Sequence, residues 1–305
     1  MEIINPHDKT FKEIEGIKEN AVDLIRASFP SDILKNIDLE SLELDNTVYI
    51  DEELKEYFSD LVYQSSYKKD KDIKIALLFE HKSYLPEYPA LQLLKYILCI
   101  LDANVKQKNK LPLVISCVFY HGKDKWEKRN ITDYYQDIDK NLLSYIPDFK
   151  YLLFDLSKYT DKDIKEKLFQ RESNKILCLL FKHVFDETYL YNELENFLMI
   201  GRNYYETEEG NRFLISILNY LFNTTELDSK ELTNILDKLI KNGGTLTMTT
   251  AMKLREEGIK EGIKEGILVK AREDAKNMLT EGLDLNLISR ITGLTIQEIV
   301  EIKNK

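Results

Sequence analysis

Cysteine, glycine, proline and tryptophan are all scarce in this chain of 305 residues, at 3, 11, 6 and 1. So little glycine and proline excludes a collagen-like or low-complexity chain, and three cysteines exclude a disulfide scaffold. Cys99, Cys117 and Cys178 each sit in an apolar run with no partner at metal or redox spacing. They read as reduced core residues in a reducing compartment. An excess of positive charge is also missing: 43 Lys and Arg against 53 Asp and Glu leave a net charge of −10. A uniformly basic nucleic-acid coat is thereby excluded, so any such site must be a local patch or a metal-bridged cleft. The longest apolar runs, Tyr96 to Leu101 and Leu111 to Ser116, fall far short of the ~18 residues of a membrane span. Met1 to Lys9 lacks the basic and apolar regions of a secretory signal. The expectation is a cytoplasmic protein with no membrane partner.

What is present is an ordinary globular composition, 43% hydrophobic and 31% charged, in a length suited to about two domains. Apolar residues recurring from Phe11 to Arg26 predict one amphipathic helix ending before Pro30. Three strands follow: one over Leu42, Leu44 and Val48 to Ile50, one at Asp60 to Tyr63, one at Ile73 to Glu80. The polar, lysine-rich Gln64 to Asp72 reads as the loop between the last two. Leu91 to Asn104 returns to helical spacing, Leu111 to Tyr120 is a strand, and Tyr151 to Leu156 is a fifth. The order α-β-β-β-α-β predicts an α/β domain with a mixed sheet, because the helix after the third strand can cross over to a parallel neighbour. From Asp161 the pattern is helical as far as a break at Asn242-Gly243-Gly244. The tail beyond repeats Glu-Gly-Ile-Lys from Glu257 to Ile267 with a period of four and carries as many basic as acidic residues. Three regions result: 1–158 as the core, 159–244 as a helical extension packed on it, and 245–305 as a helical tail.

The chemistry concentrates in Ser59-Asp60-Leu61-Val62-Tyr63 and Leu77-Leu78-Phe79-Glu80-His81-Lys82. Side chains alternate along a strand, so Glu80 and Lys82 share one face and Phe79 and His81 the other. An Asp on the adjacent strand lies beside them. Two carboxylates and a lysine at a strand end suit metal-assisted phosphodiester hydrolysis, with oxygen ligands for Mg²⁺ and a cation to orient a water. The same residues also make an ordinary cross-strand ion pair.

Several blocks together carry a resemblance: Asn5-Pro6-His7-Asp8-Lys9-Thr10-Phe11-Lys12, the Asp60 segment, Glu80-His81-Lys82-Ser83-Tyr84, Gln92 to Ile97, and Leu111 to Gly122. In this order they resemble the Rpn family of recombination-promoting nucleases, also labelled transposases, of the PD-(D/E)XK superfamily. The resemblance covers about residues 1–245. It implies a restriction-endonuclease-like αβββαβ core and a Mg²⁺-dependent DNA endonuclease acting in recombination or mobile-element biology. It further implies that Asp60 and Glu80 are metal-binding carboxylates, Lys82 the catalytic lysine, Gln92 a residue near the site, and the His81 carbonyl a further metal ligand. Asp8 and Lys9 match the family's N-terminal block and equally read as a helix N-cap with a solvated neighbour. Ile14-Glu15 stands where an aromatic often follows in the family, a departure that touches packing only.

For DNA, Lys106, Lys108, Lys110, Lys123 and Lys125 flank the Leu111–Tyr120 strand, and Lys68 and Lys69 lie between the two site-bearing strands. Such clusters neutralise backbone phosphates without reading sequence, or are simply solvated loops. Tyr120-His121 can reach the site from its strand end or serve structure alone. Leu287 to Ile299 looks like a helix-turn-helix with Thr295 and Glu298 spaced as a capping box. Its second helix offers Gln297, Glu298 and Glu301 where a groove reader carries Arg, Lys or Asn, so packing or self-association of the tail is the stronger expectation. The rival readings are a catalytically inactive nuclease-fold binding module and a DDE transposase. The latter is disfavoured because it requires three widely spaced acids on another fold.

Overall fold

The chain's first helix is set by its first described residues. Asn5 Oδ1 accepts a hydrogen bond from the His7 amide at 3.1 Å, and Pro6 takes the first helical position, where its missing N–H is no loss. The computed structural model describes residues 5–45, 61–68, 70–135, 137–241 and 243–303. Where the periodicity predicts one helix, the chain forms two, α1 (Pro6–Glu15) and α2 (Lys18–Ser28), followed by the short α3 (Ser31–Leu34). The break falls at Ile17, whose extended backbone (φ −81°, ψ 124°) follows Gly16, where a Cβ would stand 2.6 Å from the Lys12 carbonyl oxygen.

Five strands form one mixed sheet in the spatial order β1 (Ile37–Leu44), β2 (Leu61–Tyr67), β3 (Asp70–Lys82), β4 (Leu113–Tyr120) and β5 (Leu152–Asp155). β2 runs antiparallel to both its neighbours β1 and β3, whereas β3, β4 and β5 run parallel. α4 (Pro89–Lys106) makes the crossover between β3 and β4 that parallel pairing requires. The stretch Gln64 to Asp72, expected as a loop, is mostly strand: Gln64, Ser65 and Ser66 pair with Ala76, Ile75 and Lys74. Ladder hydrogen bonds come from the backbone, so polar side chains do not forbid them. Ser65 and Ser66 are buried, with Ser65 Oγ donating to the Asp38 carbonyl at 2.9 Å and the Ser66 amide to Ser41 Oγ at 2.8 Å. Val48 to Ile50 and Asp60 lie outside the described residues.

After β5 the chain is helical: α5 (Asp161–Asp163), which opens into a wider turn at Ile164–Leu168, then α6 (Glu172–His183), α7 (Glu187–Met199), α8 (Glu208–Thr224) and α9 (Ser229–Leu239). α6 is buried along most of its length and is held by Asp23 of α2. That carboxylate accepts from the Gln170 and Arg171 amides, both at 3.0 Å, and from Asn174 Nδ2 at 3.3 Å. A side chain about 150 residues away in sequence thus fastens the chain as it enters the helix. On the other side of the sheet α4 buries Leu93, Tyr96 and Ile100 against Val118, Tyr120 and Trp126.

Two compact units result, residues 1–244 and 245–305. Gly243 and Gly244, expected as a break, begin α10 (Gly243–Thr280), a helix that runs unbroken through the Glu-Gly-Ile-Lys repeat. In the second unit α11 (Leu285–Thr292) and α12 (Ile296–Lys303) close a small core of Ala275, Ile288, Leu294 and Ile299 with the end of α10. Gly293, at φ 76°, turns the chain between them, and Thr295 and Glu298 form the capping box. Among the described residues no helix is long and apolar enough to cross a membrane.

Candidate active site

The C-terminal end of β3 brings three of the sequence-predicted residues, Glu80, Lys82 and Gln92, to one place. Glu80 and Lys82, two apart on one strand, share a face; both are buried, and Lys82 Nζ contacts Glu80 Oε1 directly. Gln92, on the first turn of α4, donates from Nε2 to the same Glu80 oxygen at 3.1 Å and to Tyr96 Oη at 2.7 Å. Gln92 and Tyr96 stand one helical turn apart, the spacing that stacks side chains on one helix face. Tyr96 is the residue of this group that sequence reasoning missed. Its signal was available in the four-residue spacing, but a tyrosine at helical period reads as core. Glu80 Oε1 therefore takes two donors, while Glu80 Oε2 is buried and has no hydrogen-bond partner among the described residues. Asp60 lies outside the described residues; Leu61, next in the chain, pairs with Phe79.

On the opposite face of β3 is a second group that the sequence did not announce. His81 Nδ1 lies 2.5 Å from Asp8 Oδ1, and its ring stacks on Phe11 and His121, with centroids 5.0 and 4.9 Å away. His121 Nδ1 lies 2.9 Å from the Phe181 carbonyl, and His7 meets the His121 ring at 5.0 Å and Tyr220 Oη at 3.0 Å. A carboxylate and a carbonyl only accept, so Nδ1 of His81 and of His121 each carry the proton. Burial drives all three imidazoles towards the neutral form. It holds the His7 pKa down to about 4, helped by His81, and pushes His121 well below its ordinary value with help from His81 and His7. His81 is lowered by burial in spite of Asp8, which acts the other way. Asp8 is thus an imidazole partner, while the N-cap of α1 is Asn5.

Gly122 allows the chain to leave β4 beside this group, since a Cβ there would meet the Tyr120 hydroxyl at 2.4 Å and its ring at 2.6 Å. The lysines expected to meet DNA divide between the two ends of the sheet. Lys123 and Lys125 are exposed just beyond Tyr120, the residue in register with Lys82. Lys68 sits at the far turn of the β2–β3 hairpin, about 33 Å along the strand from Glu80 at ~3.3 Å per residue. Lys106, Lys108 and Lys110 precede Leu113, which pairs with Ile75, so they also lie towards the far end. Lys69 lies outside the described residues. Among the described residues no group of three His, Cys, Asp or Glu is arranged to hold a metal ion.

A buried Glu–Lys pair at a strand end, steadied by a glutamine from the crossover helix, sits within the segment that defines the chain's family. Residues 5–211 match the family described as "Putative transposase, YhgA-like", and the chain belongs to it. Residues 269–304 match the C-terminal helix-turn-helix domain of the Rpn/YhgA-like nuclease family, the segment that forms the end of α10 with α11 and α12. Among curated relatives, the chain is 24% identical to the recombination-promoting nuclease RpnA of Escherichia coli K12, over 96% of both chains. It is 23% identical to RpnC of the same strain, over 98% of this chain and 97% of the relative. It is also 25% identical, over 97% and 96%, to a protein of that strain named an inactive recombination-promoting nuclease-like protein, RpnE. No solved structure matches the chain.

Proposed function

We propose that this protein is a Mg²⁺-dependent DNA endonuclease of the PD-(D/E)XK type that hydrolyses phosphodiester bonds and promotes DNA recombination. The observation that carries the reading is the state of Glu80. One oxygen is held by Lys82 and Gln92, and the other is buried with no partner among the described residues. An unpartnered buried carboxylate oxygen is costly unless a further ligand completes it, and a hard divalent cation takes oxygen donors. Glu80, Asp60 and the His81 carbonyl would hold the ion. Bound there, Mg²⁺ supplies an acidified water and charge to offset the phosphoryl oxygens. The chain's own part is positional: Gln92 and Tyr96 fix Glu80, and the Lys82 ammonium orients the attacking water. Lys123 and Lys125 hold flanking phosphates at the same end of the sheet. The second unit, with Gln297 and Glu301 exposed on α12, serves self-association more readily than groove reading.

A second reading has its own support. Lys82 already neutralises Glu80 directly, and one relative of similar identity is named inactive, so the fold could act as a binding module without cutting. Plasmid nicking by the purified protein with and without Mg²⁺ separates the two. Metal-dependent nicking that is lost, by at least a hundredfold, in both Asp60→Ala and Glu80→Ala at unchanged circular dichroism is the expected result. Normal nicking by either variant places the chemistry elsewhere.

A further inference from the structure

The segment linking β3 to α4 carries an exposed apolar cluster that the chemistry above leaves unused. Tyr84, Leu85, Tyr88 and Leu91 are 57%, 39%, 47% and 39% exposed. Single exposed apolar side chains need no explanation, but four within eight residues beside a candidate active site form a patch. The patch is anchored: Tyr88 meets Tyr134 edge-to-face at 5.2 Å, and Tyr134 Oη accepts from the Ala90 amide at 3.2 Å. It also adjoins the site, because the Tyr84 ring centre lies 5.4 Å from Lys82 Nζ. A phosphate reaching Lys82 therefore brings the base of its own nucleotide, or of the next, to the Tyr84 ring.

We propose that Tyr84, supported by Leu85 and Tyr88, is a stacking platform for an unpaired base beside the scissile phosphate, so that single-stranded or locally unpaired DNA is the substrate class. The proposal rests on the reading of Glu80 and Lys82 as the cutting site. Every base offers a π face to an aromatic ring, and in a duplex both faces are already covered by neighbouring pairs. An exposed tyrosine next to the cutting residues thus favours a strand that has left its partner. Charge on the same end suits that occupant: Lys123, Lys125, Lys128 and Arg129 are all exposed beyond β4, and such cations track a backbone while aromatics take the bases.

The test uses full-length protein in EDTA, where nothing is cut, titrated with a short single strand containing 2-aminopurine and with the same sequence as a duplex. The parent should bind the single strand more tightly than the duplex and quench the 2-aminopurine. Tyr84→Ala should weaken single-strand binding about tenfold and abolish the quench, with little change for the duplex, while Tyr84→Trp keeps both signals. Equal loss on both ligands, or no loss on either, at unchanged melting temperature overturns the platform. The outcomes separate the two readings. Wild-type protein that nicks no DNA with Mg²⁺ yet shows the Tyr84-dependent quench defeats the nuclease and keeps the platform. Nicking indifferent to Tyr84 and to strandedness does the reverse.

Discussion

Glu80 and Lys82 look towards Gln92 and Tyr96 of α4 on one side of β3, whereas His81, between them in sequence, looks towards Asp8, Phe11 and His121 on the other. The first side keeps charge inside the protein by pairing it, and the second keeps its imidazoles neutral by burying them. Removing a partner on the charged side leaves an uncompensated charge, while on the imidazole side it loosens a packed cluster. One strand end therefore combines a proposed site whose loss should be read in turnover as well as in stability with a support whose loss should be read in stability alone.

Lys82→Met is the strongest way to break this comparison. Glu80 is left buried and unpaired, so the variant should lose roughly 3–5 kcal/mol of stability as well as its turnover. Adding Glu80→Gln removes the stranded charge and should restore most of the stability in urea titrations while nicking stays absent. Stability that does not recover in the double variant would show that the charged side is also a structural support.

Asp8→Asn tests the other side. It replaces the charged acceptor of His81 by a neutral amide oxygen and should cost about 1 kcal/mol, the difference between a hydrogen bond to a charged group and one to a neutral group, with nicking at saturating DNA reduced by less than tenfold. A loss of turnover as deep as that of Glu80→Ala would move Asp8 into the cutting machinery and erase the distinction between the faces.

The smallest effect sharpens the comparison through pH. Unfolded histidines take up protons near pH 6.5, but His7 resists until about 4, so stability should fall as pH drops from 6.5 towards 4. Glu15, fully buried at the end of α1, behaves oppositely. Burial, then Asp23, raises its pKa to about 8, so its penalty grows as pH rises from 4.5 towards 8. Glu15→Gln should lift the melting temperature by on the order of a few degrees at pH 8 and leave the acid limb unchanged. An equal gain at pH 5 would show that packing, and not ionisation, is responsible.

The shared face of Glu80 and Lys82 was legible because strand alternation is a local rule, whereas Gln92 entered only through the family resemblance. The mixed α/β class and its crossover were legible for the same local reason. The Asp8–His81 contact was not, since it joins residues 73 apart in sequence and Asp8 suited a helix cap equally well. Nor was the split between α1 and α2, because the apolar period runs through Gly16 and Ile17 and only the extended backbone of Ile17 makes the break. The polar arms of the β2–β3 hairpin were mistaken for a loop because Ser65 and Ser66 are satisfied by β1, which residue type alone does not disclose. That hairpin also carries Lys68 away from Glu80, a separation invisible when the lysines are placed by sequence neighbourhood.

The imidazole side has a spectroscopic consequence. The ring N–H of His81 is held by Asp8 and that of His121 by the Phe181 carbonyl, both out of contact with bulk water. Ring protons in that situation exchange slowly enough with solvent to be followed individually, and they disappear when the region opens. These two protons therefore form a built-in gauge at the back of the proposed site. They report whether the strand end is intact in any variant, whether or not that variant cuts DNA.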